Sequence, residues 1–368
     1  MYGYDGIKVV HLEMTTRCNA SCPMCPRTVQ GGRVNPIVPL TELSLADVKT
    51  IFPNELIARL ERMYMCGNYG DAMTARDTLE VFEHFRRVNP KMRLRLYTNA
   101  SGRDAAWWAR LAKTVSVCTF SVDGLEDTNN LYRRGTEWPK IMASMKAFIG
   151  AGGEAEWEFL IFKHNEHQVE AARALAATLG VARFIPKRTD RFLTGGKISP
   201  TFPVLDAEGR VEYELEMPAA AQNRNAAVAS IGGLLKQNRS FGSYLEETQV
   251  CCKVEAGGPM YVTAEGLVFP CCWLANLYPP GKPLQEGEVW DLIRSLPEGK
   301  DSLSALKRPL REIVDGPFFQ KLVPERWQPS AAGRKKLTIC ARICGQFDPN
   351  GSMRAAGPSS DERYRSTP

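Results

Sequence analysis

Cysteine is the residue type that points most directly to chemistry in this sequence. Eleven cysteines occur in the 368 residues, and all but Cys66 and Cys118 fall into short groups. A disulfide scaffold needs a higher cysteine content and an export signal, and the first residues do not resemble such a signal. Only four histidines accompany the thiols. Sulfur-only ligation therefore predicts iron–sulfur clusters or structural zinc.

The first group places Cys18, Cys22 and Cys25 on one loop, with the spacing Cys-x3-Cys-x2-Cys. Three thiolates this close can surround one face of a cubane cluster, and they leave its fourth iron without a protein ligand. The spacing and its place after the first predicted strand resemble the radical S-adenosylmethionine (SAM) superfamily. The resemblance implies that the amino and carboxylate groups of SAM bind the open iron of a [4Fe–4S] cluster. A zinc knuckle or chance cysteines are the alternative.

Two further features of this region are similar to the SAM-binding parts of that superfamily. Met24 stands where the family often has an aromatic residue, and its thioether can pack on the adenine. The segment that contains Gly67, Asn68, Gly70 and Asp71 follows the second predicted strand. The resemblance implies that its backbone carbonyls and the Asp71 carboxylate bind the SAM amino group, although the family form often ends in Gly-Glu-Pro. An ordinary turn between strand and helix is the alternative.

Polar residues after the later strands extend the same resemblance. It implies that Ser121 and Asp123, at the end of the fourth strand, reach the ribose hydroxyls of SAM. It also implies that an arginine nearby pairs with the SAM carboxylate, because the guanidinium matches a carboxylate in two hydrogen bonds. Arg133 and Arg134 are both candidates, and both are otherwise surface arginines at a helix start. Asn99 is a further candidate that otherwise caps the following turn.

The second cysteine group begins with the spacing Cys252-x13-Gly266-x4-Cys271. This resembles the opening of the SPASM and Twitch auxiliary-cluster domains that follow some radical SAM barrels. The resemblance implies that Cys340 and Cys344 close a four-thiolate set around one auxiliary [4Fe–4S] cluster. Too few cysteines remain for a full SPASM domain with two clusters, so a Twitch-type domain is predicted.

Each cysteine of this opening has a cysteine neighbour, so the ligand choice stays open at this point. Cys251 and Cys272 are the alternatives to the two residues that satisfy the spacing. A zinc ion bound by four cysteines is the alternative to the cluster.

The elements that must position these residues alternate between strand and helix in the first two hundred residues. Six strands are predicted: Val9–Met14, Met63–Cys66, Met92–Tyr97, Val115–Val122, Trp157–Phe162 and Ala182–Pro186. Helical patterns separate them, the first of which, Ser44–Arg62, is interrupted by Pro53. This order predicts an α/β fold, a partial (β/α)6 TIM-like barrel followed by a Twitch/SPASM-like domain of a β-hairpin and helix. The candidate residues follow strands, where the sites of such folds lie.

The domain organisation predicted from these patterns has four parts. They are a radical SAM partial barrel over 1–190, a connector with little regular structure over 191–250, an auxiliary-cluster domain over 251–346 and a flexible tail over 347–368. Within the third part, Val262–Phe269 is predicted as a hairpin with its turn at Gly266. Glu286–Ser295 and Phe318–Val323 are predicted as short helices.

Composition narrows the class of protein without naming a substrate. Hydrophobic residues make up 44% and charged residues 24%, which excludes wholesale disorder, collagen and coiled coil. The net charge of +6 is too small to indicate a nucleic-acid partner. No apolar run is long enough for a membrane span, and we expect a cytoplasmic protein.

Together the resemblances predict a radical SAM enzyme with one auxiliary cluster. In that superfamily a reduced cluster cleaves SAM to a 5′-deoxyadenosyl radical, which abstracts a hydrogen atom from the substrate, and a one-electron reductant such as flavodoxin or ferredoxin is needed. A peptide or protein substrate is favoured, and oxidation or rearrangement of a small biosynthetic molecule is the alternative. A non-catalytic zinc protein is the alternative from a different class. The sequence does not determine the substrate, the fate of its radical, the use of SAM or the oligomeric state.

Two other features leave alternatives open. Cys66 and Cys118 lie in apolar strands, and each is either a small buried hydrophobe or a thiol that returns a hydrogen atom to a substrate radical. The stretch from Arg183 to Lys197 carries five basic residues against Asp190, and it is either the rim of an anionic-substrate site or a solvated loop.

Overall fold

A computed structural model describes residues 1–194, 197–225, 240–331 and 334–345 of the chain. The predicted tail over 347–368 lies outside the described residues. No helix in these four ranges combines the length and the apolar character that crossing a bilayer requires.

The main sheet has eight strands in the order β12-β11-β1-β2-β3-β4-β5-β6. Six of these strands come first along the chain and are all parallel. They are β1 (Val9–Leu12), β2 (Arg62–Met65), β3 (Arg93–Thr98), β4 (Val117–Ser121), β5 (Ala155–Ile161) and β6 (Arg183–Arg188). Each predicted strand is present, with ends shifted by a few residues. This confirms the predicted α/β partial barrel.

Alternation within these strands separates an apolar outer face from a polar inner face. In β3, Leu94 and Leu96 are fully buried in the core, whereas Arg95 lies on the other face and bonds Glu156 of β5. In β1, His11 stacks on Tyr64 with ring centroids 4.3 Å apart. The inner face therefore carries the polar side chains.

Helices pack against the outer face of the parallel strands. They are α1 (Leu45–Ile51), α2 (Asn54–Arg59), α3 (Thr78–Val88), α4 (Ala105–Thr114), α5 (Asn129–Tyr132), α6 (Trp138–Gly150) and α7 (Val169–Leu179), followed by α8 (Phe241–Glu247), α9 (Lys253–Gly257), α10 (Glu288–Arg294), α11 (Leu310–Val314), α12 (Val323–Glu325) and α13 (Thr338–Cys344). Ser44 starts α1 with a capping box to Asp47. Pro53 separates α1 from α2, as its missing amide hydrogen predicts.

Short helical turns complete the connections between these elements. The 3₁₀ turns are Tyr4–Gly6, Ala72–Thr74, Glu166–Gln168, Ala221–Asn223 and Gly299–Leu303, and a π turn covers Phe318–Leu322. The two short helices predicted in the third part of the chain correspond to α10 and to this π turn, which continues into α12.

The predicted hairpin forms, and it extends the sheet of the barrel. Its strands are β11 (Pro259–Val262) and β12 (Val268–Phe269), and Gly266 occupies the turn with φ +75°. β11 pairs in parallel with β1, from Val9 opposite Pro259 to Leu12 opposite Val262. The segment that carries the second cysteine group is thus hydrogen-bonded directly to the strand that precedes the first group.

The prediction of little regular structure over 191–250 is wrong for its described part. Two antiparallel hairpins occur there: β7 (Leu193–Thr194) with β8 (Lys197–Ile198), and β9 (Thr201–Leu205) with β10 (Val211–Glu216). Val204 and Leu215 of the second hairpin are buried against Tyr132 and Phe162, and this burial holds it in place. The amide of Leu205 also donates to the carbonyl of Gln30 at 3.0 Å, so the hairpin is hydrogen-bonded to the chain that directly follows the first cysteine loop.

Candidate active site

The first cysteine loop follows β1 at the carboxyl end of the parallel strands. Its three thiols are free and half-buried. The Cys25 amide donates to the Cys22 carbonyl at 3.1 Å, and the Thr28 hydroxyl donates to the same carbonyl at 3.0 Å. These two hydrogen bonds fold the backbone of residues 22–28 into a tight turn.

Hydrogen-bond donors face the sulfur atoms of this loop, and the Arg27 amide is the donor at Cys25. The Ala20 amide lies 3.4 Å and the Asn99 side-chain nitrogen 3.7 Å from Cys18 Sγ, and an Arg133 guanidinium nitrogen lies 3.9 Å from Cys22 Sγ. Burial, and after it the charge of Asp71, raise the pKa of Cys18 to about 12, although the hydrogen bond from the Ala20 amide opposes the rise. Donors to sulfur stabilise the thiolate form that metal ligation requires.

The donor set fits an iron–sulfur cluster. Cys18, Cys22 and Cys25 act electrostatically on one another. Across the described ranges, no three His, Cys, Asp or Glu side chains are placed to hold a single metal ion. A cubane does not require such convergence, because each thiolate binds a different iron.

The glycine-rich segment after β2 packs against the start of the cysteine loop. A Cβ at Gly70 would overlap the carbonyl oxygen of Thr15, and one at Gly67 would overlap the carbonyl oxygen of Gly70. Both positions therefore require glycine. Buried Glu13 accepts hydrogen bonds from the amides of Tyr69, at 2.7 Å, and Gly70, at 3.2 Å, and so holds the segment to β1.

Asp71 is buried, and both of its carboxylate oxygens already accept hydrogen bonds. One accepts from the Met73 amide at 3.0 Å, and the other from the Asn99 amide at 2.8 Å and the Thr98 hydroxyl at 3.1 Å. Burial raises the pKa of this carboxyl group, and these bonds oppose the rise. Asp71 thus joins the segment after β2 to the end of β3, and its contact with SAM stays a prediction.

The structure separates the two arginine candidates. Arg133 forms a 2.5 Å ion pair with Asp123, and it faces Cys22. Burial alone would lower the pKa of this guanidinium, but the charges of Asp123 and Cys22 outweigh it and raise the pKa. Arg134 turns away and pairs with Glu212 of β10 at 2.7 Å. Of the two guanidinium groups, only that of Arg133 faces the cysteine loop, whereas Arg134 contacts the loop through its carbonyl, which accepts from the Ser21 amide at 2.8 Å.

Of the remaining predicted SAM-contact residues, Asn99 and Met24 lie at the same loop. Asn99 donates to the Asn19 side chain at 2.9 Å as well as facing Cys18, and Asn68 points instead toward the second cysteine group. Ser121 is half-buried at the end of β4. Met24 is half-buried and packs with Cys22 against the cluster of Tyr132 and Phe162.

The second cysteine group brings four thiols together from three elements. Cys252 precedes α9, Cys271 follows β12, and Cys340 and Cys344 lie one turn apart on α13. The thiols of Cys252 and Cys344 are hydrogen-bonded, which lowers the pKa of Cys344 and raises that of Cys252. The charge of Cys344 raises the pKa of both Cys271 and Cys340, and the charge of Cys271 also raises that of Cys340. Cys252 and Cys271 are the residues that satisfy the spacing, Cys340 and Cys344 are the pair that the resemblance implies, and their role as cluster ligands stays a prediction.

The alternative residues of the two doublets have other surroundings. The Cys251 amide donates to the Cys344 carbonyl at 2.8 Å, so its backbone pairs the two ends of this region. Cys272 interacts with Cys271, and on its other side with Cys66 and Glu13. The Cys272 thiol therefore faces the inner side of the barrel as well as the four-thiol group.

Direct hydrogen bonds connect the glycine-rich segment to the second cysteine group. The Asn68 side chain donates to the Cys272 carbonyl at 2.8 Å. The Tyr69 hydroxyl donates to Asn276 Oδ1 at 2.9 Å and accepts from the Tyr278 amide at 2.9 Å. The glycine-rich segment is thus hydrogen-bonded directly to the chain that follows Cys271.

Sequence reasoning missed a group of charged residues on the inner face of the sheet. Lys187 and Glu158 form a 2.6 Å ion pair, and both, with Glu13, act electrostatically on Cys66. A polar residue at every second position of an apolar strand, as in His11 and Glu13, was the available signal.

The two isolated cysteines have different environments. Cys66 is half-buried and lies beside these charges, whereas Cys118 is fully buried in the apolar core. The interpretation as a small buried hydrophobe therefore holds for Cys118.

Two of the five basic residues in the stretch 183–197 form ion pairs, and a third lies near the cysteine loop. Arg183 pairs with Glu156, and Lys187 pairs with Glu158. Arg191 donates to the Tyr132 hydroxyl and acts electrostatically on Cys22 and Cys25. The rim predicted from sequence is thus reduced to one arginine that faces the site.

Comparison with solved structures identifies the same architecture in proteins of very different sequence. SuiB from Streptococcus suis is 11% identical, with 91% of this chain and 77% of SuiB covered at a TM-score of 0.53. SuiB bound to precursor peptide SuiA gives 12% identity, coverage of 91% and 76%, and a TM-score of 0.50. Native anSMEcpe with bound AdoMet and the Cp18Cys peptide gives 13% identity, coverage of 91% and 88%, and a TM-score of 0.50.

These neighbours are radical SAM enzymes, so the predicted resemblance is confirmed at the level of the fold. No protein-family model matches the chain, and a search of curated proteins gives no match either.

Proposed function

We propose that this protein is a radical SAM enzyme that uses one auxiliary [4Fe–4S] cluster. The observation that carries the proposal is the loop of Cys18, Cys22 and Cys25 at the carboxyl end of a parallel sheet with the fold of SAM-bound enzymes. When bound, the catalytic cluster supplies the electron that cleaves SAM, and the radical so formed abstracts a hydrogen atom from the substrate.

The residues around this loop position it and exclude water. The side chain of Asn99 and the guanidinium of Arg133 donate toward the sulfur atoms, which orients the thiolates and stabilises their charge. The hairpin of β9 and β10 covers the loop with Val204 and Leu215. A dry site of this kind protects a reactive substrate radical from side reactions.

The glycine-rich segment after β2 is the proposed cradle for the SAM amino group. Gly67 and Gly70 let the segment pack directly against its own backbone and the backbone before Cys18, and Glu13 accepts a hydrogen bond from the Tyr69 amide and so holds the segment to β1. We assign the ribose side of the same cradle to Ser121 and the carboxylate side to Arg133. Asp123 keeps Arg133 in position through its 2.5 Å bond.

The second cysteine group is the proposed auxiliary site, with Cys252, Cys271, Cys340 and Cys344 as its ligands. Four thiolates leave no iron open, so this site suits electron transfer or structural support better than SAM binding. The hydrogen bond from Asn68 to the Cys272 carbonyl supports an auxiliary site next to the proposed SAM cradle. We expect a substrate to bind between the proposed SAM cradle and the proposed auxiliary site.

A peptide or protein is the proposed substrate. SuiB is known bound to a precursor peptide and anSMEcpe to the Cp18Cys peptide, and both match this fold over 91% of the chain. Oxidation, crosslinking and epimerisation are the modifications that hydrogen abstraction from a peptide allows. The physiological electron donor is proposed to be a small one-electron carrier such as flavodoxin or ferredoxin.

SAM cleavage by the anaerobically prepared protein tests this function. With a low-potential reductant, the wild type is expected to convert SAM to 5′-deoxyadenosine, and Cys25→Ala is expected to lose this activity. Cys118→Ala is the matched control, because its thiol lies in the apolar core and takes no part in the site. Deuterium transferred from a labelled peptide to 5′-deoxyadenosine would then identify the substrate class.

Three results would contradict the proposal. A colourless protein that carries zinc and cleaves no SAM would support the non-catalytic alternative. SAM cleavage that survives in Cys25→Ala would remove the loop from the reaction. Deuterium transfer from small biosynthetic molecules and from no peptide would replace the proposed substrate class.

A further inference from the structure

The loop after β3 holds the side chain of Asn99 against the first cysteine loop. Its Nδ2 atom lies 3.7 Å from Cys18 Sγ and donates to Asn19 Oδ1 at 2.9 Å. Asn99 is 4% exposed, so water has little access to its amide group. Asn99 therefore presents a buried N–H donor to the sulfur atom of a proposed cluster ligand.

Two other hydrogen bonds fix which end of the Asn99 amide faces this sulfur. The Ser101 amide donates to Asn99 Oδ1 at 2.9 Å, so the Asn99 nitrogen points the other way, toward Cys18. The Asn19 side chain donates to the Ser101 carbonyl at 2.7 Å, which closes a ring of three hydrogen bonds among these asparagines and the serine. The reversed amide would set its nitrogen against the Ser101 amide, where two donors would meet, and the hydrogen bonds therefore exclude it.

The backbone that follows Asn99 has an uncommon conformation. Ala100 has φ +60° and Arg103 has φ +62°, in the left-handed region that residues other than glycine rarely adopt. The Arg103 guanidinium donates to the Met73 carbonyl at 2.8 Å and so anchors this turn to the segment after β2. Such conformations persist where the surrounding structure holds them, so the fold itself keeps Asn99 beside the cysteine loop.

Resting on the proposed function, we propose that Asn99 raises the reduction potential of the catalytic cluster through its hydrogen bond to the Cys18 sulfur. Reduction of [4Fe–4S]²⁺ to [4Fe–4S]⁺ adds one electron, which the external one-electron donor supplies, and no covalent bond or proton changes with it. The added negative charge spreads onto the sulfur atoms, so a donor to sulfur stabilises the reduced cluster more than the oxidised one. Asn99 adds to the effect of the Ala20 amide, which lies 3.4 Å from the same sulfur and belongs to the loop itself.

An EPR-monitored redox titration of the cluster-loaded protein without SAM tests this inference. The catalytic signal is the one that is absent from the Cys18/Cys22/Cys25→Ala variant. Asn99→Leu, which is close in size and removes the donor, is expected to lower the ratio of reduced to oxidised cluster about fivefold at a given applied potential. For a one-electron step this ratio corresponds to a shift of about 40 mV to more negative potential.

Asn35→Leu is the matched control, because it makes the same change at a buried asparagine whose donor bonds go to carbonyl oxygens. Asn35 is 2% exposed, and its side-chain nitrogen donates to the Pro26 carbonyl at 3.0 Å and to the Tyr278 carbonyl at 2.9 Å. Pro26 directly follows Cys25, so this substitution also removes hydrogen bonds next to the cysteine loop. We expect Asn35→Leu to lose stability and to keep the wild-type potential. Iron content and circular dichroism establish that each variant is folded and loaded.

A second measurement needs no substitution and stays informative if Asn99→Leu binds no iron. The wild type is labelled with ¹⁵N at the side-chain amide of asparagine. Pulsed EPR of the reduced catalytic cluster is expected to show a ¹⁵N hyperfine coupling, because the Asn99 nitrogen lies 3.7 Å from Cys18 Sγ.

The inference is overturned if fully loaded Asn99→Leu keeps the wild-type potential, if Asn35→Leu shifts it equally, or if the labelled wild type shows no ¹⁵N coupling. An unchanged potential together with weaker binding of SAM would show that Asn99 contacts SAM instead. Failure of the proposed function looks different, because the wild type would then bind no iron at the first cysteine loop and give no catalytic signal to titrate.

Discussion

The two cysteine groups differ in how the fold assembles them. The first takes three thiols from the segment 18–25, on one loop after β1. The second takes four thiols from residues that span 252–344 and belong to three separate elements. A local group keeps its geometry through its own backbone and its hydrogen bonds, whereas a dispersed group depends on the packing of the whole region.

This difference corresponds to a difference in chemistry. Three local thiols leave one cluster position open, and Asn99 and Arg133 stand beside the loop as polar groups. Four dispersed thiols leave none open, and Cys252 and Cys344 already share a hydrogen bond. The first arrangement suits a reactive centre, and the second suits a closed cluster that supports it.

The largest effect, on iron content, is expected when one ligand of the second cysteine group is removed. Cys252→Ala is expected to remove the auxiliary cluster, because it takes away one of four ligands, and to halve the iron content. Cys251→Ala is the matched control and is expected to keep full iron, since Cys251 contributes its backbone amide to the pairing with Cys344. Iron analysis of the two purified proteins checks this. The opposite pattern would move the ligand to Cys251.

The next largest effect, on SAM affinity, is expected from a substitution in the glycine-rich segment after β2, which leaves every cysteine in place. Gly70→Ala places a Cβ on the carbonyl oxygen of Thr15, so the segment must move. We expect SAM affinity to fall about a hundredfold, since small displacements of positioning groups have effects of this size. Gly150→Ala, at a position with open space around the Cβ, is expected to bind SAM as the wild type does. Equilibrium dialysis measures both, and equal affinities would remove the cradle role.

A pH-dependent effect arises at Glu13, which joins the cradle to β1 and β11. Burial raises the pKa of Glu13 to about 7 from a usual 4.5, although bonds from Tyr261, Tyr69 and Gly70 oppose the rise. The folded state therefore holds a proton that the unfolded state releases, and stability falls as the pH rises from 4.5 to 7. The thiols of Cys66 and Cys272 face the same carboxyl group.

Replacing Glu13 by Gln removes this titration. Relative to the wild type, Glu13→Gln is expected to gain about 3 kcal/mol between pH 4.5 and pH 7. Anaerobic denaturation midpoints of the loaded proteins at several pH values measure the difference. Glu55→Gln, on the exposed side of α2, is expected to show no such trend. A flat difference for Glu13→Gln would mean that Glu13 is ionised throughout.

The smallest effect, on stability, is expected from a substitution that loosens the hairpin of β9 and β10. Arg134→Gln breaks the 2.7 Å pair with Glu212, whose side chain is 47% exposed. Exposed pairs contribute about 0.2 to 1 kcal/mol, so we expect a small loss of stability and unchanged SAM affinity. Thermal unfolding and dialysis check both. A large loss of SAM affinity would return Arg134 to the list of SAM-binding candidates.

The local parts of the site could be predicted from sequence, because their information lies within a few residues. The spacing of Cys18, Cys22 and Cys25 and the six alternating strands are of this kind. The interruption at Pro53 also follows from a single residue. The pairing of β11 with β1 could not be predicted, since it joins residues about 250 positions apart in sequence.

The predictions that failed or stayed open depend on tertiary packing. The hairpin of β9 and β10 was missed because Pro203 lies inside its first strand, and a proline in a sequence argues against a strand there. Arg133 and Arg134 are neighbours in sequence, and the positions of Asp123 and Glu212 separate them. The choice within each cysteine doublet likewise depends on which side chain faces α13.

An iron and sulfide count of the anaerobically purified protein tests the central claim most directly. The account predicts about eight irons in the wild type and about four in the Cys18/Cys22/Cys25→Ala variant, as two independent [4Fe–4S] clusters require. About four irons that fall to none would contradict the auxiliary cluster. Zinc without iron in the wild type would contradict the radical mechanism itself.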